Sequence, residues 1–261
     1  NIVLMKKIYK VSEYILSQHK KGYSFKNLED PYILKNENEA YEVQFDFQKN
    51  AKRGKIGGYK IALASKVQQQ LCSINNPIAG GIFKREIYQS QEIIKLKNYQ
   101  SLGLEFEIAF EINQDIFPNT LENEDINIKN YINNAYTCFE LIDDRDASYN
   151  NLDALTLIAD NAWSSGIILS NPNPKWKDFD LNKLNSKLYW NNILIGEAKL
   201  SNSDPLNSLS WIIKHLGKFN KKIDKGSIII TGSVLKTKKP KSGDQIKFEI
   251  ENLSNVITEI V

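Results

Sequence analysis

The chain has 261 residues, 41% of them hydrophobic and 25% charged, the balance of an ordinary globular protein long enough to bury a full core. Lys+Arg 34 against Asp+Glu 31 leave a formal charge of +3, so neither a basic nucleic-acid surface nor a membrane-binding patch is indicated. No apolar run approaches the roughly 20 residues of a membrane span. The opening Ile2-Val3-Leu4-Met5 is too short for a signal core, and Lys6 and Lys7 follow it where a signal would place its charges first. Cys72 and Cys138 sit among apolar neighbours and read as buried thiols of a cytoplasmic protein.

Ile8, Val11 and Ile15 at helical spacing predict a helix from Lys6 to about His19, stopping near Gly22. A second helix is predicted to be capped by Asn36 or Asn38, with Ala40, Val43, Gln44 and Phe47 along one side. Residues 1–50 thus read as a helical layer too short to bury a core of its own, ahead of a core at 51–261. After Gly57-Gly58 the pattern predicts a strand over Tyr59–Ala64 and a short helix over Val67–Leu71. In Gly103–Ile112, Leu104, Phe106, Ile108, Phe110 and Ile112 alternate with Glu105, Glu107, Ala109 and Glu111, the clearest strand in the chain. The polar stretch 119–134 reads as a loop leading into a helix. Tyr136–Ile142, Ile193–Leu200, Ser227–Thr231 and Gln245–Val261 read as further strands. Asp204-Pro205 to Leu216 reads as a helix ending at Gly217. The fold class is α+β, a short N-terminal helical layer followed by a β-rich core.

Glu105 and Glu107, two apart on a strand, point the same way and lie within reach of one hard cation. The same pattern also suits a solvated strand face. Glu140 stands in the apolar run Cys138-Phe139-Glu140-Leu141-Ile142, where a carboxylate must be paired, protonated or metal-bound. Arg145 is one candidate partner. Three carboxylates without His or Cys would suit Mg²⁺ or Mn²⁺ better than Zn²⁺. Lys60 would share a strand face with Ala62 and Ala64, whose small side chains leave room for a ligand beside an ammonium. A snorkelling edge lysine is the alternative. His19 and His215 are read as surface or boundary residues of helices, without a role.

Several segments, in this order, resemble the 2-keto-4-pentenoate hydratase and 4-oxalocrotonate decarboxylase family of the fumarylacetoacetate hydrolase superfamily. They are Glu39-Ala40-Tyr41-Glu42-Val43-Gln44, Gly58-Tyr59-Lys60-Ile61-Ala62-Leu63, Glu105-Phe106-Glu107-Ile108-Ala109-Phe110 and Phe139-Glu140-Leu141-Ile142-Asp143-Asp144-Arg145. Ala159-Asp160-Asn161-Ala162, Pro205-Leu206-Asn207-Ser208-Leu209-Ser210-Trp211, Gly226 to Ser233 and Ser242-Gly243-Asp244 complete the series. The resemblance implies a fumarylacetoacetate hydrolase-type core and a homo-oligomer acting on a small 2-oxo acid in the breakdown of aromatic compounds. It implies Glu105, Glu107 and Glu140 as ligands of Mg²⁺ or Mn²⁺, and Lys60 as a catalytic residue beside the substrate's 2-oxygen. Asp160, Ser164, Ser165 and Thr231 are implied as substrate contacts.

Two positions depart from the family pattern. Pro77-Ile78-Ala79-Gly80 has isoleucine where an acid is expected after the proline, and Trp163 intervenes between Ala159-Asp160-Asn161-Ala162 and Ser164-Ser165-Gly166. Three readings follow: a hydratase of a 2-hydroxy-dienoate, a decarboxylase or carbon–carbon hydrolase on the same scaffold, and a binding protein that kept the fold without the activity.

Overall fold

The computed structural model describes residues 2–122 and 126–261. Helix α1 (Ile2–Lys21) takes in the apolar opening as well as the expected span, and the chain leaves it at Gly22 with φ +66. Helix α2 (Glu37–Asn50) begins at Asn36, whose side chain accepts a hydrogen bond from the Glu39 amide at 3.0 Å. That bond satisfies one of the amides a helix start leaves without a partner. Its buried face, including Ala40, Tyr41, Val43 and Phe47, packs on α1 and on a later helix, Ala154–Ala159.

Strand β1 (Ile56–Ala62) starts earlier than the sequence suggests, taking in both glycines. A Cβ on Gly58 would lie 2.1 Å from the Ile228 carbonyl oxygen, so glycine here permits close strand pairing and is not a break. There follow α3 (Lys66–Leu71), β2 (Ile78–Phe83), β3 (Ile87–Gln89), β4 (Ile93–Ile94), β5 (Leu102–Ile112) and β6 (Ile132–Asp143). Of the stretch 119–134, residues 123–125 lie outside the described residues. The remainder holds two short 3-10 turns, Thr120–Glu122 and Ile128–Tyr131, and the start of β6, in place of the expected helix. Next come α4 (Ala154–Ala159), β7 (Ser164–Leu169), β8 (Asn185–Trp190), β9 (Ile193–Lys199), α5 (Pro205–Lys218) and β10 (Ile228–Ile230). Gly217 lies inside α5 and does not end it. The expected last strand is a hairpin, β11 (Gln245–Ile250) and β12 (Val256–Ile260), turning through Asn252 at φ +64.

The strands form a seven-stranded sheet, β2-β1-β10-β5-β6-β7-β3, and a five-stranded sheet, β4-β12-β11-β8-β9. The fold is α+β, as the pattern of elements implies. In the larger sheet β2 comes back into contact with β7, so the sheet rolls toward a barrel. Both faces of β5 are therefore covered. Phe106, Ile108 and Phe110 belong to the main core with the helices and the second sheet. The opposite face carries a smaller apolar cluster of Ala109, Cys138, Ile167, Ile230 and neighbours. Both cysteines are free and buried. Among the described residues, no helix is long and apolar enough to cross a membrane.

Candidate active site

Strand register brings the carboxylates together. Glu105 pairs directly with Glu140 across the antiparallel β5–β6 ladder, and Glu107 pairs with Cys138, one step along the same face. Directly opposed residues on such a pair have Cβ atoms about 5 Å apart. One carboxylate oxygen from each of Glu105, Glu107 and Glu140 lies within 4.8 Å of the others. Between β1 and β5 the sheet opens, because β10 spans only Ile228–Ile230 and the chain then turns away at Gly232, φ +104. The buried Lys60 side chain of β1 lies in that opening.

Each glutamate is held by one donor. Thr237 Oγ1 donates to Glu105 Oε1 at 2.7 Å, and the Gly232 amide donates to Glu107 Oε2 at 2.8 Å. Lys60 Nζ forms a close ion pair with Glu140 Oε1 and donates to the Ala162 carbonyl at 2.9 Å. Lys60 is 1% exposed and its strand is interior to the sheet, so it is not a snorkelling edge residue. Arg145 pairs with Asp160, and the base beside Glu140 is Lys60.

The electrostatics of this cluster are those of a cation site. Burial, and then the Glu105 charge, push the Glu107 carboxyl above the usual carboxylate range. Burial raises Glu140 well above that range; Lys60 opposes the rise, while Glu105 and Glu107 add to it. Lys60 is desolvated too, yet the Glu140 and Glu105 carboxylates outweigh that and hold it above the ordinary lysine value, as an ammonium. Among the described residues, Glu107 Oε1 and Glu140 Oε2 are buried without a hydrogen-bond partner. Three carboxylates around one lysine, with buried oxygens unpartnered and only oxygen donors, fit a hard divalent ion such as Mg²⁺ or Mn²⁺.

Lys60 and Glu105 line a cavity of about 240 Å³, with Ala62, Ala64, Tyr149, Trp163 and Thr237 on its walls. The other residues singled out in the sequence lie elsewhere. Asp160 is 3% exposed and held by Arg145 (2.8 and 3.1 Å) and by His19 Nε2 at 2.6 Å. Burial opposes its charge, but His19 and Arg145 hold its carboxyl below the usual range. Asp160, Ser164 and Ser165 line a second cavity, of about 580 Å³. Thr231 is wholly buried beside the Ile108 carbonyl. Ile78 is fully buried in β2, opposite Ala62, and contributes no surface to the cavity. His19 is thus a partner of Asp160, not a bystander. His215 is buried among Tyr41, Trp211 and Phe219, not at a boundary.

The sequence left the polar frame around the lysine unread. Asn161, Ala162 and Trp163 all have left-handed backbones, at φ 55, 50 and 58. The Asn161 side chain pins this turn to β2, exchanging hydrogen bonds with the Gly81 backbone at 2.7 and 2.9 Å, and accepts one from Gln48 at 2.9 Å. Gly80 makes room for it, since a Cβ there would lie 2.8 Å from the Asn161 carbonyl oxygen. The turn aims the Ala162 carbonyl at Lys60. Three consecutive left-handed non-glycine residues have no local sequence signal beyond the asparagine.

No family model matches the chain. Among curated proteins it is 26% identical over 236 residues to 2-oxo-hept-4-ene-1,7-dioate hydratase of Escherichia coli, covering 85% of this chain and 86% of that one. It is 25% identical over 236 residues to 2-keto-4-pentenoate hydratase of Paraburkholderia xenovorans, covering 89% and 87%. The chain is thus similar over most of its length to proteins named 2-keto-4-pentenoate hydratase. Among solved structures, 4-oxalocrotonate decarboxylase of Pseudomonas putida, complexed with magnesium and adipate, superposes with a TM-score of 0.86 at 20% identity, over 98% of each chain. The fold is also shared with fumarylpyruvate hydrolase of Pseudomonas aeruginosa, in complex with Mn²⁺ and pyruvate, at a TM-score of 0.59 and 10% identity over 80% of this chain and 90% of that one.

Proposed function

We propose that this chain is a divalent-metal-dependent hydro-lyase that adds water to a 2-hydroxy-dienoate of the 2-keto-4-pentenoate type. The observation that carries the reading is the cluster of Glu105, Glu107 and Glu140 around the buried Lys60, at the end of a small cavity. Relatives along most of the chain are named 2-keto-4-pentenoate hydratase and 2-oxo-hept-4-ene-1,7-dioate hydratase. A domain layout with residues 1–50 as a helical layer over a catalytic core at 51–261 belongs to the same reading. So do a cytoplasmic location and a homo-oligomeric state.

A bound Mg²⁺ or Mn²⁺ would supply Lewis-acid polarisation of the substrate's 2-oxygen. Glu105, Glu107 and Glu140 would hold it. Lys60, kept cationic by Glu140 and fixed by the Ala162 carbonyl, places a positive charge where the 2-oxygen becomes an oxyanion. Ketonising the dienol gives an unsaturated ketone, and water then adds to it in conjugate fashion. Because Lys60 is already oriented by two partners, little reorganisation is needed as that charge develops. Apolar side chains on the cavity wall limit the access of bulk water.

A second reading, decarboxylation of a 2-oxo acid, draws on the fold shared with 4-oxalocrotonate decarboxylase. Loss of CO₂ to an enolate would use the same oxyanion stabilisation beside Lys60. The deciding experiment supplies the purified protein with Mn²⁺ and either 2-hydroxypenta-2,4-dienoate or 4-oxalocrotonate. Formation of 4-hydroxy-2-oxopentanoate, abolished in Glu107→Gln, is the expected result. CO₂ release without hydration would replace the hydratase by the decarboxylase. Neither product would leave the binding-protein reading.

A further inference from the structure

Two cavities meet at one wall. The smaller, about 240 Å³, ends on Lys60 and Glu105. The larger, about 580 Å³, holds Arg53, Glu86, Arg145 and Asp160. Trp163 lines both, and is itself 8% exposed. Its ring sits edge-on between Phe25, at 5.2 Å and 85°, and Tyr149, at 5.7 Å and 66°. The left-handed φ of 58 carries the indole across this boundary. Such a backbone is strained for a tryptophan and persists because Asn161 and Asp160 are pinned on its N-terminal side.

The two cavities differ in chemistry. Beyond Lys60 and Glu105, the smaller is walled by Leu63, Leu71, Ile142, Leu152, Leu157 and Leu235, and its other charged lining residue is the exposed Lys236. Three glutamates, one lysine and one divalent ion sum to zero charge. Such a site accepts a single substrate carboxylate at the metal end. A second carboxylate at the tail would be desolvated against leucines without a buried partner. The larger cavity carries the buried or half-buried charges of Arg53, Glu86, Arg145 and Asp160 and the exposed Lys97, which, like Lys236, forms no ion pair among the described residues.

We propose that Trp163 is the specificity-determining wall of the site. It restricts the substrate to 2-oxo acids with one carboxylate and a short uncharged tail, and it excludes dicarboxylic acids by closing the way to the charged cavity. The inference rests on the function proposed above and adds to it the class of tail accepted. Among the described residues the indole Nε1 has no hydrogen-bond partner, so the wall stands by packing and replacing it breaks no side-chain hydrogen bond there. Glycine at 163 would remove the wall and also relieve the left-handed backbone.

The test is titration calorimetry of the Mn²⁺-loaded protein with 2-oxohexanoate and with 2-oxohexanedioate, which share a six-carbon chain and differ at the far end. The parent is expected to bind the monoacid more tightly by at least about tenfold. Trp163→Gly should narrow or reverse that ratio, and Trp163→Phe should keep most of it. If the glycine variant does not fold, Trp163→Leu should narrow the ratio to a smaller extent. Equal affinities in the parent, or an unchanged ratio in the opened variant, would overturn the inference alone. Failure of both acids to bind the parent would overturn the 2-oxo acid reading of the site, and this inference with it.

Discussion

Lys60 and Glu140 form a buried pair whose two charges depend on each other. Removing one member of such a pair typically costs about 3–5 kcal/mol, because the other is left uncompensated. Lys60→Met should therefore lose turnover and, in metal-free protein, also stability. Added Mn²⁺ should restore most of the stability and none of the turnover. Thermal melts with and without Mn²⁺, beside an activity assay, check this; full activity in the variant would remove Lys60 from the chemistry. His215 gives a prediction about pH. Burial, with a smaller push from Lys218, lowers its pKa to about 4. The unfolded chain takes up its proton near 6.5, while the folded chain resists until about 4. The stability this contributes is complete above pH 6.5 and falls as the pH drops toward 4. By pH 5 the loss should be roughly 2 kcal/mol. His215→Phe, which keeps a ring against Trp211 and Tyr41, should lack that slope in urea melts at pH 7 and pH 5. Identical slopes in both proteins would show that another group titrates.

The elements that position the site differ in how plainly they announce themselves. The turn Asn161-Ala162-Trp163 sets the Ala162 carbonyl against Lys60, and Gly80 is the space it uses. A methyl group in Gly80→Ala would also lie 3.2 Å from Lys60 Cγ, so the variant should shift the lysine. A displacement on the order of 1 Å at a reacting group can cost about a hundredfold in rate. The glutamates belong to β5 and β6, so Mn²⁺ affinity should hold while kcat falls. Loss of both together would mean that the whole sheet end has moved. Strand β5 could be read from the sequence because leucine, phenylalanine and isoleucine alternate with three acids and an alanine from Leu104 to Ile112. The same alternation left open which face was buried, since the rolled sheet buries both and only pairing with β6 reveals it. Strand β2, Ile78-Ala79-Gly80-Gly81-Ile82-Phe83, went unread because two glycines that make room for other chains look like a break. Strand β7 follows the left-handed turn, and β8 mixes serine and lysine with its apolar residues, so neither carries a clean period. Helix α4 has only six residues, too few to establish a helical period. The three glutamates and Lys60 were legible as candidates for one site. The Lys60–Glu140 pair was not, because Arg145 is the nearer base in sequence and only the strand order of the sheet brings Lys60 on β1 to Glu140 on β6.

At the scale of the whole molecule the site acts as a fastener across the larger sheet, with Lys60 on β1, Glu105 and Glu107 on β5, and Glu140 on β6. Without a cation, one lysine faces three carboxylates, and Glu105 adds repulsion to both buried partners. The metal-free fold is therefore opposed by its own site, and metal binding should register as global stabilisation. Mn²⁺ at a hundredfold its Kd contributes about 2.7 kcal/mol, which for a chain of this size is a rise in Tm on the order of 5–10 °C. Glu105→Gln should separate the two effects, because the amide oxygen can still accept from Thr237 while the charge is gone. In metal-free protein the variant should melt no lower than the parent, and higher if the repulsion outweighs the lost contacts. With saturating Mn²⁺ the order should reverse, the parent gaining its full shift and the variant only a fraction of it. Such a crossing is characteristic of a residue retained for binding at a cost to the fold. Equal Mn²⁺ shifts in the two proteins would place the ion away from Glu105. A variant that melts lower in both conditions would make Glu105 a structural residue held by Thr237.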